Sequence, residues 1–158
     1  MDTTKKYIEM CRRAVKIQEG WEPKDGDFVK CGARIHTIYM EFIGGNKLKY
    51  YYLPEGEVEL ELKREVDKNE IVWLPRQDQL VCILLESLYL REYNYCSGLC
   101  KMLDDFNYYI EIDHNDCFDP REDDCVNSQK SLDQLWLMFL MKEKYNKKWN
   151  GTDWEVIK

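Results

Sequence analysis

The chain has 158 residues, 44% of them hydrophobic and 13% aromatic, which is enough to build a core and too much for a disordered segment; the length implies a single domain, 1–158. Its formal net charge is −7, and that acidity argues against non-specific binding to nucleic-acid phosphates. The longest unbroken apolar run, 135–141, is far too short to span a bilayer, the opening Met-Asp-Thr-Thr-Lys-Lys lacks the apolar region of a signal peptide, and the seven cysteines then read as free thiols of a soluble, cytoplasmic protein.

A first helix is expected after Asp2-Thr3-Thr4, residues suited to capping it. Tyr7, Ile8, Cys11, Ala14, Val15 and Gln18 follow a helical spacing, Lys5, Lys6, Arg12, Arg13 and Lys16 lie off that stripe, and Gly20 is the expected stop. From Gly26 to Trp73 the chain is strand-like. Residues 33–42 read as a central strand, apolar on both faces, within which His36 is structural. Gly44-Gly45-Asn46 suits a hairpin turn into 47–53, and Pro54-Glu55-Gly56 makes the next one. Residues 57–63 alternate strictly, placing Val58, Leu60 and Leu62 inward, and Ile71–Trp73 is a last short strand. The fold class is therefore α+β: a four- or five-stranded, mainly antiparallel sheet, short enough in its strands and turns to suit a small SH3-like barrel, between an N-terminal helix and three further helices.

Pro75 ends the strand region, because it cannot donate to a ladder, and it suits the first position of a helix. Leu80, Ile83, Leu84 and Leu88, widened by Val81, Cys82, Leu85 and Tyr89, then form a helix apolar around most of its circumference, expected at the centre of the molecule. Residues 93–98 read as a break, and Leu99, Met102, Leu103, Phe106 and Ile110 as the next amphipathic helix. The aperiodic stretch 113–128 is a loop. Ser131-Leu132-Asp133-Gln134 has the form of a capping box opening a helix with Leu132, Leu135, Trp136, Phe139 and Leu140. Asp-Gln-Leu at 78–80 recurs at 133–135, which reads as two helices with similar start chemistry. Asn150-Gly151 between Trp149 and Trp154 signals a two-residue hairpin turn.

The chain carries no Walker loop, G-x-S-x-G, H-E-x-x-H or G-x-G-x-x-G pattern, so no enzymatic activity and no cofactor are expected. Cys96, Cys100, His114, Cys117 and Cys125 offer a candidate zinc set by ligand type, although the Cys117–Cys125 spacing matches no common finger. Asp113, Asn115, Asp116, Asp119 and Asp124 only faintly resemble a calcium loop, which needs glycine at its sixth position and glutamate at its twelfth. Adjacent Asp104 and Asp105 point to different helix faces and make a weak acid/base pair. Tyr50-Tyr51-Tyr52 beside Lys47 and Lys49 could stack bases, but alternation leaves only Tyr51 on the lysine face, and packing is the plainer reading. The charge itself is uneven: residues 104–124 hold nine acids against Arg121, a local −8. Within that segment Asp119, Glu122, Asp123 and Asp124 are the candidate contacts for a basic partner.

Three stretches in order, Trp21-Glu-Pro-Lys-Asp-Gly-Asp27, Val72-Trp-Leu-Pro-Arg-Gln-Asp-Gln-Leu80 and Asp133-Gln-Leu-Trp-Leu followed by Met141-Lys-Glu-Lys-Tyr145 and Trp149-Asn-Gly151, resemble a family of small proteins encoded by phages and prophages of Gram-positive bacteria. The resemblance covers about half the chain; residues 93–127 lie outside it. That family has no established activity, so the resemblance carries over no catalytic residue. It implies a context, a viral accessory protein in the bacterial host cell. Two functions are then expected: a non-enzymatic module binding a host or phage protein, to modulate replication or blunt a defence system, or a nucleic-acid-associated module using the β region and the basic face of the first helix.

Overall fold

In the computed structural model, which describes residues 1–42, 48–52, 64–65, 71–114 and 130–158, the chain divides into two compact units. One spans Thr3–Pro75 and carries the sheet. The other gathers Met1–Asp2 with Arg76–Lys158 and is mainly helical. The class is α+β, with a small antiparallel sheet and a separate two-stranded hairpin.

The sheet unit opens with α1 (Lys5–Arg13), whose first turn is capped by the Thr4 hydroxyl accepting from Tyr7 N–H at 3.2 Å. The expected single helix is in fact two. Ala14 leaves helical geometry (φ −79°, ψ 59°), and α2 (Val15–Glu19) starts afresh behind it. The break re-phases the apolar stripe: Val15, expected inside, is 55% exposed, and Ile17 is buried in its place. Tyr7, Met10, Cys11 and Ala14 complete the buried face, and the Tyr7 hydroxyl donates to the Pro75 carbonyl at 2.5 Å.

β1 (Phe28–Cys31) and β2 (Arg34–Phe42) form a tight hairpin in which Cys31 pairs with Arg34. Gly32-Ala33 is its turn, so Ala33 does not belong to the strand as expected; Gly32 supplies the φ of +54° that a side chain would resist. On the other side of β1 lies β5 (Ile71–Trp73), with Val29 opposite Trp73 and Cys31 opposite Ile71. Val29 and Ile38 are fully buried, and His36 is buried opposite Val29, as a structural histidine should be. β2 also pairs with β3 (Leu48–Tyr52), from Phe42 opposite Leu48 to Ile38 opposite Tyr52, and β3 with the two-residue β4 (Arg64–Glu65). The expected turns at 44–46 and 54–56 and the strand 57–63 lie outside the described residues.

Two side chains finish this unit. Gln18, from α2, offers Trp73 both partners that a neighbouring strand would: its Oε1 accepts from Trp73 N–H at 2.9 Å and its Nε2 donates to Trp73 C=O at 3.0 Å. The side chain thus closes a sheet edge that would otherwise present bare backbone groups. Asp27 is buried at the corner before β1, where its carboxylate accepts from Trp21 Nε1 and from Lys24 N–H, each at 2.8 Å. The Trp21 indole in turn stacks on Trp73, with centroids 5.6 Å apart and planes within 8°.

In the helical unit, α3 (Gln77–Leu84) is capped at Arg76, whose N–H donates to the Gln79 side chain at 2.9 Å. Pro75 therefore stands one residue before the cap and not at the first helical position. The helix runs on through a wider, π-type turn, Leu85–Tyr89, closed by Leu90 N–H on the Leu85 carbonyl. Only Leu80, Leu84, Leu85 and Tyr89 of this stretch are buried, and Cys82 is exposed. The helix buried on all sides is instead α5 (Leu132–Tyr145), in which every residue from Trp136 to Met141 is buried. It packs against α3, α4 and β6 (Lys147–Trp149).

α4 (Tyr95–His114) is longer than expected at both ends. The supposed break at 93–98 is its start, where Asn94 Oδ1 accepts from Ser97 N–H at 3.0 Å. Gly98 packs on the π-type turn: a Cβ there would meet Tyr89 Cβ at 3.4 Å, van der Waals contact with no space beyond it. The buried stripe is Gly98, Met102, Phe106 and Tyr109, so Leu103, expected inside, faces out. Phe106 stacks on Trp136 with centroids 3.7 Å apart.

At the start of α5 the Ser131 hydroxyl accepts from Gln134 N–H at 3.2 Å, and Leu132 is exposed. Gln134 Nε2 and the Ser131 hydroxyl both donate to the buried carboxylate of Asp2, while Asp2 N–H donates to Asp133. The closing hairpin pairs β6 with β7 (Trp154–Val156), Trp149 opposite Trp154, so its loop is four residues and not two. Asn150 Oδ1 organises that loop by accepting from Thr152 N–H and Asp153 N–H.

Candidate functional site

Three of the five predicted metal ligands are spread along one helix. Cys96 and Cys100 stand one turn apart at the start of α4, and His114 is its last residue. At about 1.5 Å of rise per residue, His114 lies roughly 27 Å from Cys96 and roughly 21 Å from Cys100. Ligands to one zinc ion sit about 2 Å from it, so these three cannot share an ion. Cys117 and Cys125 lie outside the described residues, as do Asp119, Glu122, Asp123 and Asp124, and Asn115 and Asp116 of the calcium-like set. Among the described residues no group of three or more His, Cys, Asp or Glu gathers as metal ligands would.

Asp105 has a structural task. It accepts from the Tyr89 hydroxyl at 3.1 Å and from Lys101 Nζ at 2.5 Å, strapping α4 to the π-type turn. Burial, and then the Asp105 carboxylate, push the Tyr89 phenol above its ordinary range, so it acts as a hydrogen-bond donor and not as a base. The hydrogen bond to Asp105 likewise raises Lys101. Asp104 is exposed on the other side of the helix. The pair thus divides its roles as adjacent helix positions must.

The basic face of the first helix is partly offset, two carboxylates standing against its five cations. Glu9 holds both Arg12 (2.5 Å) and Arg13 (2.8 Å), and Glu19 holds Lys16 at 3.0 Å. Arg13 first, and Arg12 with it, keep the Glu9 carboxyl below the usual range. Lys5 and Lys6 remain as exposed cations of that face.

What the fold leaves open is the outer side of α4. Cys96, Cys100, Asp104, Asn107 and Glu111 run along it at helical spacing, all exposed, with Leu103 on one flank and Tyr108, 64% exposed, on the other. Tyr93 and Tyr95 stand exposed at its amino-terminal end. Most large hydrophobic side chains exposed among the described residues lie in the helical unit. Sequence reading missed this face because Leu103 fits the inward stripe by spacing and Gly98 suggested a break; the exposed Tyr108 two positions beyond Phe106 was the available signal. In the sequence, further acids follow Glu111, among them Asp119, Glu122, Asp123 and Asp124, which lie outside the described residues.

Among the described residues no helix is long and apolar enough to cross a membrane. No protein family, no characterised protein and no solved structure matches the chain.

Proposed function

We propose that the chain is a non-enzymatic accessory protein of phage or prophage origin, working in the bacterial cytoplasm by holding a host or phage protein against the outer side of α4 and its acidic continuation. The observation that carries this reading is the exposure of Tyr108 and Leu103 on a helix whose other side is fully committed to the core. Tyrosine is enriched where proteins meet, because it brings large contact area at low entropy cost and keeps a polar tip. An acidic rim selects a basic partner surface and speeds its approach. The buried polar side chains Asp2, Asp27 and Gln134 take part in hydrogen bonds that hold the fold, which favours a scaffold over a catalyst. Modulation of replication and suppression of a host defence are the two outcomes that such binding would serve.

The nucleic-acid reading is weaker. Glu9 and Glu19 offset two of the five positive charges of that helix face, and each charge offset weakens the attraction to phosphate. As to the fold, we read the ladders as one sheet of five strands, β4-β3-β2-β1-β5, supported by β2 and β1 each serving two neighbours. We also take the two units as one folding domain, since the chain crosses between them twice, after Asp2 and after Pro75.

The test is affinity capture of the tagged full chain from phage-infected or lysogenic cells, with and without nuclease. A stoichiometric protein retained after nuclease supports the binding module. Partners lost on nuclease treatment would transfer the assignment to the nucleic-acid reading.

A further inference from the structure

The amino-terminal end of the exposed α4 face carries two thiols, Cys96 and Cys100, neither of them in a disulfide. Residues four apart on a helix hold their Cβ atoms about 5–6 Å apart on the same side. A disulfide needs about 3.5–4.5 Å between Cβ atoms, so the pair cannot oxidise onto itself while α4 stays helical. The gap suits an atom held between the two sulfurs. Zinc would want four ligands, and no third Cys, His, Asp or Glu joins the pair among the described residues. Thiolates favour soft cations, and a soft d10 ion is satisfied by two of them.

We propose that Cys96 and Cys100 form a two-coordinate site for a soft, thiophilic cation of the copper(I) class. Each thiol gives up its proton to solvent, two metal–sulfur bonds form, and no oxidation state changes. The site is independent of whether the same face holds a protein. Both thiols are exposed, so the site needs no opening of the fold, and either can be replaced without touching the core.

The experiment titrates the reduced full chain with copper(I) under anaerobic conditions, in competition with a chromophoric copper(I) chelator. Cys96→Ser and Cys100→Ser are each expected to abolish the tightest equivalent, and Cys82→Ser, at an exposed thiol of α3, to leave it unchanged. The decisive variant is Cys100→Ser/Lys101→Cys, which keeps the number of thiols and moves one of them around the helix. Losing the chelate is expected to weaken binding about a hundredfold, the scale of an intramolecular second contact. Affinity equal to the parent protein in the register-shifted variant, or in either single serine variant, would overturn the assignment.

Discussion

Gln18→Ala should be among the most destabilising single changes in the sheet unit, although Gln18 is a polar residue at the end of a short helix. Its amide makes three hydrogen bonds: with Trp73 N–H at 2.9 Å, with Trp73 C=O at 3.0 Å and with Cys11 C=O at 3.1 Å. Trp73 is 5% exposed, so water does not easily replace what alanine removes. With roughly 1 kcal/mol net for each hydrogen bond, and more for a buried group left bare, the loss should be about 2–4 kcal/mol. Urea unfolding measures it. The slope should be unchanged and the midpoint should fall by about 1–2 M, given a slope of about 2 kcal/mol/M. Gln18→Glu adds a sign test. A carboxylate can still accept from Trp73 N–H, but it would face two carbonyls, one of which its protonated form could satisfy. Its folded-state pKa would be raised, so its stability is greatest below about pH 4 and is lost as pH rises through that raised value. A cost below about 0.5 kcal/mol for Gln18→Ala would refute the idea that this amide completes the sheet edge.

Gly98→Ala should be neutral or stabilise by up to about 1 kcal/mol, because the new methyl meets Tyr89 at van der Waals distance and alanine favours the helix. Gly98→Leu should cost at least about 1–3 kcal/mol by driving α4 off the π-type turn; equal thermal midpoints for the two variants would contradict that packing. Glu9 should titrate below its ordinary 4.5 by carboxyl NMR, with Arg13 the larger cause and Arg12 next. Its contribution to stability is present above that value and lost as pH falls through the depressed one. Being a third exposed, it should amount to less than about 1 kcal/mol and shrink with salt; a midpoint at or above 4.5 would rule the pairing out. Finally, thermal unfolding followed by Trp fluorescence and by far-UV circular dichroism should give one coincident transition. Two separated transitions would make the two units two domains.

The sequence was most legible where one residue type has one use. Ser131 before an apolar run announced α5, and the β-branched, aromatic Ile71–Trp73 announced β5. It misled where two physical effects share a residue. Gly98 reads as a breaker by propensity, yet it sits inside α4, where its face packs on Tyr89 and Leu85. Val15 fits the helical stripe by spacing, and only the break at Ala14, a backbone event that alanine does not advertise, turns it outward. Ranking α3 above α5 as the central helix failed for another reason: periodicity measures how much of a helix is apolar, not how much of it finds neighbours. The strings that carry the phage resemblance are fasteners. Trp21 and Asp27 bond each other, Arg76 and Gln79 cap α3, and Asp133 and Gln134 hold Asp2. They bear on how the chain folds and say little about what it binds. The candidate site lies outside those strings, in the stretch the resemblance does not cover.

The most direct test of the binding-module account is capture by a Leu103→Ala/Tyr108→Ala variant, run beside the parent chain and a variant with Asp119, Glu122, Asp123 and Asp124 made neutral. Both residues are exposed, so the double variant should melt with the parent chain. If the outer side of α4 is the docking face, the nuclease-resistant partner should be lost from it, at a cost of about 2 kcal/mol or roughly thirtyfold in Kd. Neutralising the four acids should mainly slow association and reduce its salt dependence. Full capture of the same partner by the Leu103→Ala/Tyr108→Ala variant would contradict the account.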